Sequence, residues 1–190
     1  MNVTTSTKLN SMETKRGREL TREELQTINL ARKREFGSRY QLQPALDNRE
    51  GDSIFFLLKN ELDKTLAVGK IQDIKITFKN RVCLIPCFST VIALQKHLGY
   101  GRLIMNAIKM YGEKQEKTIV GFCETSILPF YQQCDWEVLS PEDNRFLYVD
   151  INGNVIPNIV PGEVIFTRGK DKLMEQILNG DDKTAGVYRN

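Results

Sequence analysis

Apolar and polar residues alternate along this chain in two distinct ways, and the change of period marks its elements. Thr21-Arg22-Glu23-Glu24 has the spacing of a capping box, in which the Thr21 hydroxyl serves one orphan amide and Glu24 reaches back to another. A helix is predicted from there to about Phe36, with Leu25, Ile28, Leu30, Ala31 and Phe36 as its apolar positions and Gly37 as its stop. The basic run Arg32-Lys33-Arg34 reads as a solvated helix face. Upstream, residues 1–20 are polar and without period, which suits either a flexible arm or a first strand.

Three extended runs follow, Ser53–Leu58, Thr65–Phe78 and Val82–Ala93, rich in β-branched and apolar residues. Polar turns at Asn60–Lys64 and Lys79–Arg81 separate them, so an antiparallel meander is expected. Helical spacing returns in Arg102–Gln115, where Leu103, Ile104, Ala107, Ile108 and Tyr111 share a face. Thr118–Cys123 reads as a strand buried on both faces. A short helix should begin near Ser126 with Pro129 in its first turn, where the missing N–H is no loss. Strands are expected at Trp136–Leu139, Phe146–Ile151 and Val164–Thr167, with Asn152-Gly153 as a turn. Asp171 can cap a last helix through Leu178 that Gly180 ends.

Composition narrows the class. A chain of 190 residues, 41% hydrophobic and 27% charged, is expected to form one domain around one core over residues 1–190. No apolar run approaches the roughly 18 residues of a membrane span, and the N-terminus lacks the apolar segment of a secretory signal, so a cytoplasmic location is the expectation. Cys83, Cys87, Cys123 and Cys134 show no Cys-x-x-Cys spacing, and His97 is the one histidine. Reduced thiols packed as small hydrophobes, and no metal site, follow from that pattern. A net charge of +3 suits an anionic ligand without pointing to nucleic acid or a membrane, and leaves monomer and homodimer both open.

The segment from Val91 to Arg102 carries the candidate chemistry. It joins an apolar run to the best-patterned helix through Lys96-His97-Leu98-Gly99-Tyr100-Gly101. A helix N-terminus leaves backbone amides unpartnered and carries partial positive charge, so a chain that can approach closely there can hold phosphate. Gly99 and Gly101 permit the approach, and Lys96 and Arg102 add charge. A dinucleotide fingerprint would need glycine where Ile104 stands, and a Walker loop would need a Gly-Lys-Ser/Thr ending that is absent.

The pattern resembles motif A of the GNAT acyltransferases, Gln/Arg-x-x-Gly-x-Gly/Ala, whose amides bind the coenzyme A pyrophosphate; Lys96 stands in the first position. A second stretch, Ile127-Leu128-Pro129-Phe130-Tyr131-Gln132-Gln133-Cys134-Asp135-Trp136, is similar to that family's Tyr-x-x-x-Gly-Phe ending, with Asp135 in place of glycine. Its Pro-Phe-Tyr version most resembles a branch that includes aminoglycoside acetyltransferases. The order of elements agrees over about Thr21–Thr167.

The resemblance implies an α/β (α+β) GNAT fold, a mixed central sheet with an antiparallel N-terminal meander and splayed parallel strands. It implies acetyl-CoA as co-substrate, pyrophosphate on Lys96, His97, Leu98, Gly99, Tyr100, Gly101 and Arg102, and the pantetheine arm along Val91, Ile92 and Ala93. Tyr131 would be the general acid that protonates the leaving thiolate, and a small-molecule or protein amine the acceptor. The run Val82–Ala93 holds no carboxylate, so the base candidates are Asp73 and Glu124, with ordered water as the alternative. Acceptor choice would lie in the loops Gln41–Asn48 and Ser140–Asn144 and in the tail after Ile151. Two other readings stay open: a non-catalytic CoA-binding module, and a homoserine-lactone-type synthase, against which the pyrophosphate turn speaks.

Overall fold

A computed structural model describes residues 10–37, 41–43, 48–79, 81–140, 143–150, 152–156, 162–179 and 185–188. The expected stop at Gly180, the strand end at Ile151 and parts of both acceptor loops and of the N-terminal arm lie outside them. The chain divides into two compact units, Met1–Lys70 with Thr90–Ala107, and Ile71–Ser89 with Ile108–Asn190. Two long strands, β3 (Thr65–Phe78) and β4 (Arg81–Ala93), contribute to both units.

The first unit opens with a strand, β1 (Ser11–Arg16), which resolves the choice between arm and strand for these residues. It pairs antiparallel with β2 (Ile54–Lys59), from Ser11 opposite Lys59 to Arg16 opposite Ile54. Helix α1 (Arg22–Phe36) starts as the capping box requires, Thr21 accepting from the Glu24 amide and Glu24 from the Thr21 amide. It packs Ile28 and Ala31 into a core with Leu42, Phe55, Leu57, Val68 and Ile92. Leu30 and Phe36, expected on that face, are 60% and 46% exposed, because the packed face is the one that carries Glu24, Ile28 and Ala31. A one-turn helix, α2 (Asn48–Asp52), was not expected; its polar sequence carries no apolar period.

The second unit holds the parallel pair. β4 and β5 (Ile119–Cys123) pair in parallel at Cys87 and Val120. β8 (Glu163–Thr167) lies antiparallel between β5 and the short β6 (Glu137–Val138). β7 (Phe146–Val149) pairs in parallel with β9 (Ala185–Tyr188), which in turn pairs antiparallel with β3. The sequence pattern missed β9, a four-residue run too short to show alternation. A core of Ile76, Ile85, Val120, Phe146, Val164, Phe166 and Ile177 fills this unit. Asp171 serves the last helix, α5 (Leu173–Asn179), by accepting from the Leu173 amide, and it also accepts from the amide and hydroxyl of Thr118. Helix α3 (Tyr100–Gln115) contributes residues to both units and buries Ile104, Met105 and Ile108, whereas Leu103, expected on that face, is 43% exposed.

One polar cluster holds the first unit's outer strands to α1. The Lys59 ammonium, 3% exposed, reaches Glu13 at 3.0 Å, Glu24 at 2.8 Å and Asp63 at 2.9 Å, and Lys15 reaches Glu24 at 2.7 Å. Burial would raise the Glu24 carboxyl, but hydrogen bonds from Lys15, Lys59 and the Thr21 amide outweigh it and hold it down at about 2, against an ordinary 4.5. A depressed carboxyl contributes stability above its unfolded value and loses it as pH falls through its folded one. Glu24→Gln is therefore expected to destabilise the chain by about 3 kcal/mol at neutral pH. In denaturant unfolding followed over pH, that difference should shrink between pH 4.5 and about 2; a constant difference would exclude the linkage.

Candidate functional site

The turn between β4 and α3 belongs wholly to the first unit. Leu94 closes the strand by donating to the Leu66 carbonyl, and Leu103 opens the helix ladder by donating to Gly99 at 3.2 Å. The amides of Tyr100 and Gly101 precede that first rung, in the first turn of a helix, where no intrahelical acceptor is available to them. His97 and Gly99 have φ of 64° and 75°, so the chain coils tightly there. At Gly99 a side chain would be both strained and projected into open space, since no atom lies within 4 Å of its missing Cβ. The helix begins two residues before the expected Arg102, at Tyr100, which brings Gly101 into its first turn.

Not all of the expected charge is left for a ligand. The Lys96 ammonium pairs with Glu35 of α1 at 2.7 Å and is half exposed. Arg32 also departs from expectation: it is not on a solvated face, as Lys33 and Arg34 are. Its Nη1 donates to Thr90 Oγ1, and its guanidinium lies 5.9 Å from the centroid of the Phe36 ring. Burial lowers its pKa and the Glu50 carboxylate opposes that shift. Thr90 is buried and has φ of 56°, a conformation that costs a β-branched residue about 1–3 kcal/mol. It immediately precedes Val91, Ile92 and Ala93. The helical period of α1 could not reveal this inward turn of Arg32, because its neighbours Lys33 and Arg34 are exposed.

In the second unit, β5 leads through a single turn of 3-10 helix, Thr125–Ile127, into α4 (Leu128–Gln132), with Pro129 in its first turn as expected. That helix delivers Tyr131, 7% exposed, into an aromatic cluster. Phe88 lies 5.5 Å from the Tyr131 ring and 4.9 Å, edge-on, from Trp136, and Phe130 stands 5.1 Å from Tyr131. The helix ends by doubling back: the amides of Cys134 and Trp136 both donate to the Tyr131 carbonyl. Burial, reinforced by the thiols of Cys123, Cys134 and Cys87, pushes the Tyr131 phenol well above its ordinary range. The group is therefore a protonated donor throughout the neutral range. All four cysteines are free thiols.

Glu124 and Asp73 are both exposed carboxylates. Glu124 precedes the 3-10 turn, where it and Glu163, after burial itself, push the Cys123 thiol up to about 11. Asp73 projects from β3 among exposed and half-exposed neighbours. Among the described residues no group of three or more His, Cys, Asp or Glu could hold a metal, and no helix is long and apolar enough to cross a membrane.

No protein-family profile and no curated protein sequence matches the chain. Solved structures do. It is similar to an acyl-CoA N-acyltransferase from Pseudomonas aeruginosa, at TM-score 0.55 and 13% identity over 85% of this chain and 100% of that one. It is similar to the GNAT-family N-acetyltransferase YhbS from Escherichia coli, in complex with CoA, at TM-score 0.59 and 12% identity over 96% and 89%. A GNAT-family acetyltransferase from Staphylococcus aureus Mu50 aligns at TM-score 0.52 and 14% identity over 84% and 99%. The fold is that of the GNAT acyltransferases.

Within that fold, the departures from the GNAT motifs have structural answers. Asp135, where the family pattern has glycine, adopts φ of 57°, which a short polar side chain tolerates, and its carbonyl accepts from Lys109 at 3.0 Å. Gly121 of β5 makes room for the aromatic cluster: a Cβ there would stand 2.2 Å from the Phe88 ring, which would have to shift. The ring that supports Tyr131 thus depends on a missing side chain one strand away. Gly121→Ala is expected to destabilise the chain by about 1–3 kcal/mol through overpacking. Adding Phe88→Leu should recover part of the loss. Thermal unfolding of the single and double variants checks this, and an additive double variant would show the two positions to be uncoupled.

Proposed function

We propose that the chain is an acetyl-CoA-dependent N-acetyltransferase, acting on a primary amine of a small molecule or protein. The observation that carries the reading is the turn at the N-terminus of α3, within a fold that YhbS uses in its CoA complex. The amides of its helix N-terminus, the glycine open to solvent and Arg102 suit a pyrophosphate. The donor set supports this through backbone more than side chain, because Lys96 is engaged by Glu35.

In the reaction, a neutral amine attacks the thioester carbonyl and the tetrahedral intermediate expels the thiolate as the C–S bond breaks. Tyr131 donates its phenolic proton to that sulfur and is reprotonated from solvent. The ammonium proton of the product leaves to water, directly or by way of Glu124 or Asp73. A second reading, a CoA-binding module without catalysis, draws on the absence of any carboxylate in β4 and on the exposure of both base candidates.

Isothermal calorimetry of the full chain with acetyl-CoA is expected to show one binding site. Gly99→Val, which places a branched side chain where the turn is open, should weaken binding at least ten-fold with little change in thermal stability beyond the strain at that residue. Absence of binding by the unaltered chain at millimolar acetyl-CoA would sink both readings.

Tyr131→Phe should lower kcat by about 10²-fold while acetyl-CoA affinity stays within a factor of two. Because the phenol's pKa is raised from 10.0, its ionisation should contribute no alkaline decline in kcat below about pH 10. An unchanged kcat in the variant would remove the acid role and favour the non-catalytic module.

A further inference from the structure

Three aromatic rings of the second unit, Phe88, Phe130 and Trp136, form one cluster with Tyr131. We infer that Phe88 of β4 closes the acyl end of the donor site, so that the chain takes an acetyl group and turns away longer acyl groups. This rests on the acetyltransferase reading, in which Tyr131 protonates the thioester sulfur, and narrows its donor.

The acyl carbon is bonded to the sulfur that Tyr131 protonates, which brings it within about 5 Å of the phenolic oxygen. The acyl chain therefore starts beside the cluster. Little of that cluster is open: Tyr131 is 7% exposed, and Phe88 and Trp136 are 4% each. A methyl group can rest against such rings, whereas each further methylene needs one of them to move. Phe88 has the least room to do so. Behind it lies β5, where its ring atoms stand 2.2 Å from the position that a Gly121 Cβ would take, so its contact with the strand is already close. Trp136 meets it edge-on at 4.9 Å, and the Tyr131 ring stands 5.5 Å away. A ring bounded by a strand and two other rings can turn aside only by displacing one of them. Phe130, 5.1 Å from Tyr131, is half-buried and can turn toward solvent, so it sets no such limit.

Isothermal calorimetry of the full chain with acetyl-CoA, propionyl-CoA and butyryl-CoA tests this and needs no acceptor. The unaltered chain should bind acetyl-CoA at least ten-fold more tightly than butyryl-CoA, since one methylene too many in an apolar site is worth about 10- to 200-fold. Phe88→Ala should bring the two within about three-fold, because the ring that met the longer chain is gone. Phe88→Leu keeps most of the packing volume, should narrow the gap for propionyl-CoA first, and serves where the alanine variant does not fold. Phe146→Leu is the control: it removes a ring from the core of the same unit, one that pairs with Phe122, and should keep the acetyl preference. Loss of preference in the control as well as in the Phe88 variants is general loosening and overturns the inference. An unaltered chain that binds the three donors alike overturns it too, as do Phe88 variants that keep the unaltered ratio. No binding of any of the three strikes the acetyltransferase reading itself, a result distinct from binding without preference.

Discussion

A lysine ammonium withdrawn from water at the end of β2 sets the arrangement of the first unit. An unpaired charge at Lys59 would be intolerable at 3% exposure, so three carboxylates from three segments converge on it. Glu13 comes from β1, Glu24 from the first turn of α1, and Asp63 from the turn after β2. They raise the Lys59 pKa despite burial, and the Lys15 and Lys59 ammoniums with the Thr21 amide in turn depress that of Glu24. Glu24 is thus committed twice, to the capping box and to the cluster, and the start of α1 is pinned to both strands.

Pinning the start of α1 has consequences at its other end. The middle of the helix is locked by Ile28 and Ala31 in the core, and its last turns carry Arg32 to Thr90 and Glu35 to Lys96. One rigid helix therefore touches both the strained residue of β4 and the turn that follows the strand. Side chains on a locked helix are positioned more exactingly than side chains on loops, so Arg32 and Glu35 are held in fixed places. With Lys96 engaged by Glu35, the proposed pyrophosphate contacts fall to the turn's backbone amides, whose positions are set by backbone geometry and need no side-chain ordering.

Much of this was legible in sequence, and the exceptions share a cause. The capping box at Thr21, the meander, the helix after the glycine turn and the left-handed tolerance of Asp135 were read from local rules, because each depends on residues within a few positions of one another. Tyr131 was singled out by its motif, and the structure adds the reason for its buried, protonated state. Arg32 was misread as solvated because its partner, Thr90, is far along the chain, and no periodicity of α1 encodes it. The same holds for Gly121, which looks like an ordinary glycine in a strand until the Phe88 ring is seen in its place. The short elements α2 and β9 escaped because a few residues cannot display a period.

A glycine turn and an inward-turned side chain differ in what the sequence can carry. A turn that presents backbone amides has as its signature glycines at fixed spacing, nearly independent of the rest of the chain. A side chain that tertiary structure turns inward has no such signature: Arg32 stands in a basic run whose neighbours Lys33 and Arg34 are exposed, and its contact with Thr90 is made with a strand far along the chain. Local rules therefore find the first kind of feature, and only the packed structure finds the second.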